Sequence, residues 1–297
     1  MAGSKKKIAK RIGIFDVVIC VFFVLVIIVT VYPLINMAAY SFSERYDAMK
    51  GHIFILPRKF DLRNYKEVIF ERVGTQTGFA VTIARTVIGT ATSLAVNALL
   101  AFILSRRKFR FRSLFSLFWI ITMYVQGGIV PTYILYGKLG LTGSFLVYII
   151  PGMVNVMHVL VMRTYMRSIP DSLEESALLE GAGYGKIFIS IISPLCKPVY
   201  TAVALFIATY HWNSWFDAFL YNKFKSKLTT IQFEIYKMNQ ELRMVSNDTV
   251  SAAGERSYPL TTIKAATIIL TVIPVLIAYP FFQKYFVSGL TVGGVKE

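Results

Sequence analysis

Runs of apolar residues long enough to cross a bilayer, at about 20 residues each, constrain this chain more than any other feature. Lipid offers backbone N–H and C=O groups no water, so only helices or a closed barrel can span it. The alternation expected of barrel strands is absent, which leaves an all-α membrane protein. Composition agrees: 55% of the 297 residues are hydrophobic and 16% are charged, whereas about a quarter are charged in soluble domains.

About six spans are expected, at 14–40, 79–104, 114–134, 144–162, 199–219 and 261–282. The third carries a break at Gln126, Gly127, Gly128 and Pro131. Pro33, Pro131, Pro151, Pro274 and Gly89 read either as kinks satisfied by neighbouring helices or as hinges along a pathway. The first run is too long for a signal peptide and lacks a clear cleavage site, so it reads as a retained span. No internal repeat is visible to support the inverted-repeat plan of many secondary transporters.

The net charge is +16. In a soluble chain that would point to nucleic acid. Here the densest basic clusters, one from Lys5 to Arg11 and one from Arg106 to Arg112, flank apolar runs. That placement fits the positive-inside rule and contact with anionic lipid, not nucleic acid. With both clusters in the cytoplasm, the basic N-terminus (1–13), the segment 170–198 and the tail 283–297 lie inside. The loops at about 41–78 and 222–260 then lie outside. Arg85 and Lys264, near outer ends of spans, are expected to snorkel to the interface, with a gating ion pair as the alternative that no sequence feature supports.

Little points to chemistry within the chain. Cys20 and Cys196 occupy different regions, so neither a disulfide nor a metal spacing is expected. His52, His158 and His211 are scattered, and no nucleophile–base pattern accompanies them. The run 181–186 fails the phosphate-loop spacing, because Glu180 and Ile187 stand where glycine and a hydroxyl residue are needed. No catalytic, metal or nucleotide site is expected in this chain alone.

The charged segment between Pro170 and Pro198 interrupts the apolar pattern. Asp171 or Ser172 can cap a helix running to Leu179, and Gly181 permits the turn after it. A second helical stretch follows from Lys186 to Ile192. A helix this short is marginal in water and needs a neighbour. Ser176 and Ala177 are small enough for close approach, and Glu174, Glu175 and Glu180 offer charge to a basic partner. The residues suit an ordinary surface helix, or a plug for a groove in another subunit.

Glu175-Ser176-Ala177, with Gly181 six positions after the glutamate and then Ile191 and Pro194, resembles the EAA loop of ATP-binding-cassette (ABC) importer permeases. Ser176 stands where that pattern has alanine, and Ser193 where it has leucine. Gly127–Tyr133 with Leu139-Gly140-Leu141, Trp212-Asn213 with Trp215, and Gln283–Gly289 are similar to the maltose-type, carbohydrate-uptake branch, especially its oligosaccharide or aldouronate-type members. The likeness runs from about residue 14 to the end.

The resemblance implies a type I importer permease with a cytoplasmic coupling helix, in a bacterial or archaeal cytoplasmic membrane. It implies a second homologous permease, two ATPase subunits that bind ATP and Mg²⁺, and an extracytoplasmic solute-binding protein. Glu174, Glu175, Ser176, Ala177, Glu180 and Gly181 would couple to the ATPase, and the tail 288–297 would also touch it. Trp212, Asn213 and Trp215 are candidates for the substrate pathway, with Gln126 and Asn155 behind them. Aromatic rings stack on sugar faces and amides bond hydroxyls, although an interfacial aromatic belt explains the tryptophans equally. Two alternatives remain: an importer permease for another solute such as peptides, and an ion-coupled carrier acting alone. Asp16 and Asp217 near span ends make a thin proton relay for the latter.

Overall fold

A computed structural model describes residues 13–125, 127–247 and 254–291, with side chains for 13–125, 127–244 and 260–280. Apart from one bridge between Ser43 and Phe60, the described residues form helices and the turns between them. Two compact units are present, 1–66 with 245–269, and 67–244 with 270–297.

The first unit begins with α1 (Ile14–Ser41), in which only Ala39 and Ser41 are buried. Phe22, Leu25 and Ile28 are more than half exposed, so this helix presents apolar side chains for lipid to cover. The segment after it, expected as a loop, is folded. It contains α2 (Arg45–Met49) and α3 (Arg63–Lys66). Asn64 is its buried hub. Its Nδ2 donates to Ser41 O at 3.1 Å and Ser43 O at 2.9 Å, and its Oδ1 accepts from Thr262 Oγ1 at 3.1 Å. A buried amide satisfied this fully fixes a chain reversal that propensity alone would leave open.

The second unit is organised around α4 (Val73–Ser105), a 33-residue helix. It is followed by α5 (Arg112–Tyr124), α6 (Ile129–Lys138), α7 (Val156–Arg167) and α8 (Asp171–Leu179). Then α9 (Tyr184–Lys186), a π-helical stretch Ile187–Ile192 and α10 (Ser193–Leu195) run on as one rod. The unit continues through α11 (Lys197–Asn213), α12 (Phe216–Asn222) and α13 (Ile231–Asn247). A last helix, α14 (Gly254–Thr291), belongs partly to each unit.

Helix α4 packs chiefly on α7 and α11. Gly89, Ser93, Ala98 and Ala101 are the small residues that let the three backbones approach. Ala98, Ala101 and Phe102 meet Val159, Met162, Met166, Val203 and Ile207 in the main core. Asn97 ties this core to the chain before α7. Its Nδ2 donates to Met153 O at 3.0 Å and its Oδ1 accepts from Asn155 N at 2.9 Å.

Several expected boundaries move. The segment 144–162 is not one helix: a 3-10 turn, Phe145–Tyr148, precedes Pro151 and Gly152, and α7 starts only at Val156. Proline and glycine end the turn, and Asn155 caps the new helix by accepting from His158 N at 3.2 Å. The segment 199–219 breaks at Ser214 between α11 and α12. The rod Tyr184–Leu195 meets α11 at an 82° bend, where Cys196 is buried beside Pro198. The expected loop 222–260 contains α13, whose charged side chains hide it from a hydropathy reading. Among the described residues, three helices are long and apolar enough to cross a membrane, or up to five with each bent pair taken as one span.

Candidate functional site

Helix α8 forms where the acidic segment leads one to expect it, but its start differs. The cap position is Pro170, with no side-chain cap, not Asp171 or Ser172. Asp171 lies in the first turn instead, and its carboxylate pairs with Arg107 at 2.9 Å. At the other end Gly181 has φ +80°, a left-handed conformation that costs a side-chain-bearing residue energy. Gly181 N donates to Leu178 O at 3.0 Å and Ala182 N to Ala177 O at 2.9 Å, closing the helix.

The two faces of α8 differ in kind. Glu174 and Ala177, three apart and so on one side, turn into the chain itself. Glu174 Oε2 accepts from Arg106 Nη1 at 2.6 Å, and both side chains are nearly buried. The same guanidinium donates to Ser105 Oγ at 2.9 Å and to Met166 O at 3.4 Å, and lies over the Phe102 ring. Ala177 packs in the core with Ile187 and Ile192. Glu175 and Ser176 are exposed on the rest of the helix, and Glu180 and Gly181 are exposed just past its end, next to Leu179 at 90% exposure. So two of the six expected coupling residues, Glu174 and Ala177, are occupied within the chain and four are presented outward.

Arg106 and Arg107 read from sequence as part of a lipid-facing basic cluster, and their pairing with Glu174 and Asp171 was missed. The available signal was charge complementarity. A basic cluster after one span and an acidic helix after another fall on the same side of any topology that obeys the positive-inside rule.

The expected pathway residues are not gathered together. Trp212 Nε1 donates to Thr271 O at 3.1 Å. Trp215 stacks on Tyr236 with ring centroids 4.4 Å apart. Asn213 is exposed, and its Oδ1 accepts from Gln232 Nε2 at 3.5 Å. Asn155 lines a separate cavity of about 340 Å³ between α4, α7 and α11. Gln126 lies outside the described residues, as do residues 1–12 and 292–297 of the expected N-terminal and C-terminal segments.

Arg85 does not snorkel. Its side chain is fully buried and grips Asp217 with both nitrogens, Nη1 to Oδ1 at 3.1 Å and Nη2 to Oδ2 at 2.5 Å. Tyr148 lies 4.5 Å below the guanidinium and donates its own hydroxyl to Leu228 O. A planar fork matched to a carboxylate and an aromatic face is the arrangement in which arginine tolerates burial. Lys264 is half-buried. Among the described residues no cluster of three or more His, Cys, Asp or Glu side chains could hold a metal ion.

No family profile matches the chain, but individual relatives do. It is 33% identical over 287 residues to the polygalacturonan/rhamnogalacturonan transport system permease protein YtcP of Bacillus subtilis, covering 95% of this chain and 98% of the relative. It is 30% identical to the galactooligosaccharides transport system permease protein GanQ of the same organism, over 91% of both chains. Its fold matches a chain of a crystal structure of a bacterial ABC transporter involved in the import of the acidic polysaccharide alginate. That match has a TM-score of 0.81 and 29% identity, and covers 94% of this chain and 98% of the other. The helical fold thus has its counterpart in a known transporter, and the chain belongs to the permease family of ABC importers, in the branch that holds these saccharide-transport permeases.

Proposed function

We propose that this chain is the membrane subunit through which an ATP-driven importer moves oligosaccharides into the cell. In this reading it works with a second permease, two ATPase subunits and an extracytoplasmic solute-binding protein. ATP and Mg²⁺ are bound by the ATPase subunits, and the chain itself does no chemistry. The relatives' names support the substrate class, since they transport polygalacturonan, rhamnogalacturonan and galactooligosaccharides. Both termini and α8 are cytoplasmic, and the tail 288–297 lies near the ATPase. The binding protein docks on the outer loops.

One observation carries the coupling mechanism: α8 is fastened on one side and open on the other. Arg106 and Arg107 tether it to the end of α4, while Leu179, Glu175 and Glu180 face outward. An apolar tip between two carboxylates fits an apolar groove with a basic rim. A helix tied in this way passes rigid-body motion of the ATPase to α4 and to the helices packed on it. The motion does work only if α8 binds the two ATPase states in different geometries, because equal contacts shift no equilibrium. A carrier acting alone would have no use for a tethered helix with a presented face.

Glu175→Lys reverses charge on the presented face, and Gly181→Leu puts a side chain where the backbone is left-handed. In proteoliposomes containing the complete importer, each is expected to leave the chain inserted and to lower sugar uptake about tenfold, the effect of some 1.4 kcal/mol of lost coupling. ATP hydrolysis should lose its stimulation by the loaded binding protein. Wild-type stimulation in both variants would remove α8 from the coupling path.

A further inference from the structure

We propose that residues 53–56, between α2 and α3, form a lipid anchor in the outer leaflet, with Phe54, Ile55 and Leu56 inserted among the lipid chains. The anchor holds the outer segment of the first unit against the bilayer, whatever solute the importer carries. Its depth follows from α1. From Val17 to Ile35 that helix carries no charged residue. At about 1.5 Å per residue the run rises about 28 Å, close to the roughly 30 Å of a hydrocarbon core. Asp16 and Asn36 therefore mark its two boundaries. Asn36 Nδ2 donates to Ile53 O at 2.8 Å and to Phe54 O at 2.9 Å. Those carbonyls thus sit where hydrocarbon gives way to headgroups, about 7 Å below the end of α1 at Ser41.

The fold turns the chain back to this depth by construction. Ala48 of α2 packs with Ala39 of α1 and with Ile53. Between them Gly51 has φ +68° and His52 has φ +59°. A left-handed conformation is uncommon for a residue with a side chain and persists where its surroundings hold it. Here Arg58 Nη2 donates to His52 O at 3.3 Å. Both ends of the dip are pinned beside the end of α1: Glu44 N donates to Lys59 O at 3.0 Å, and Asp61 N donates to Phe42 O at 2.8 Å.

Ile53 is buried, but Phe54 and Ile55 are each 59% exposed and Leu56 is 76% exposed. Three consecutive apolar side chains held in the open by a built loop form a patch that something covers. The patch continues the surface of α1, where Leu34 and Ile35 are exposed just below Asn36. Lys50 and Arg58 flank it in sequence and are exposed, which supplies cations for lipid phosphates. With the backbone at headgroup level, its free N–H groups can meet water and phosphate oxygens, and only side chains reach hydrocarbon. Continuity with a lipid-facing helix, and cations at the rim, favour the bilayer over a protein as the occupant.

The test uses the complete importer, otherwise free of cysteine, in vesicles of phosphatidylethanolamine and phosphatidylglycerol. Single nitroxide labels are attached in turn to Phe54→Cys, Ile55→Cys and Leu56→Cys, with Lys66→Cys on α3 as the aqueous reference. All four positions are exposed, so labelling leaves the core intact. Saturation of the electron paramagnetic resonance signal is compared in oxygen, which concentrates in lipid, and in a water-soluble nickel chelate. Labels at 54, 55 and 56 are expected to relax faster with oxygen than with nickel, and the label at 66 the reverse, with or without the binding protein. Faster relaxation by nickel at 54–56 would put the loop in water. Weak relaxation by both reagents would put protein over it. Loss of relaxation only when the binding protein is added would make the patch a docking surface for that protein. Any of these three results overturns the anchor.

Discussion

Arg85 shows how far a single residue can depart from its sequence context. An arginine close to a span end reads as a snorkelling cation, but here it is buried over the Tyr148 ring and bound to Asp217. The partner lies on α12, more than a hundred residues away, so nothing local announces it. Removing one member of such a pair leaves an uncompensated buried charge, a loss of about 3–5 kcal/mol, whereas removing both is much milder. Arg85→Met is therefore expected to lower the unfolding temperature of the detergent-solubilised chain clearly. Arg85→Met with Asp217→Asn should recover part of the loss. Equal unfolding temperatures for the single and double variants would show that the pair carries no such weight. Asn64 and Asn97 teach the same lesson in neutral form. Each is an unremarkable amide in sequence, and each becomes a hub only when the chain brings carbonyls to it.

At the level of elements, α8 was legible and its attachment was not. A short acidic helix before a glycine is written in residues 171–181, and Gly181 takes the positive φ that the pattern asks for. Which side faces the chain depends on Arg106, whose reach to Glu174 spans 68 positions. Arg106→Glu is expected to unfasten α8, seen as faster hydrogen exchange at amides 171–179 and a several-fold loss of uptake. Arg106→Glu combined with Glu174→Arg should restore part of both, because the swap keeps an ion pair of the same span. Exchange rates unaffected by Arg106→Glu would mean that α8 is held by its apolar packing on Ile187 and Ile192 alone. The misplaced boundaries have one cause. Apolar content marks what can enter lipid, but Pro151, Gly152 and Ser214 break segments whose hydropathy is continuous, and α13 is a helix with too many charges to register as one.

For the whole molecule, the orientation derived from basic clusters can be checked directly. With Cys20 and Cys196 replaced by alanine, a cysteine at Glu180 should react with a membrane-impermeant maleimide only in inside-out vesicles. A cysteine at His52 should react only in right-side-out vesicles. The reverse pattern would put α8 outside the cell and end the coupling mechanism. What the sequence determined by itself is the class of structure: long apolar runs can exist only as helices in lipid, and a charged, glycine-stopped helix among them needs a surface to work on. Those are local properties, set by neighbours along the chain. The tertiary structure alone decided which polar side chains meet. It buried Arg85 on Asp217 and fastened Glu174 to Arg106. Such choices follow from helix phase and crossing, which place residues a hundred positions apart within hydrogen-bond reach, and hydropathy carries no record of either.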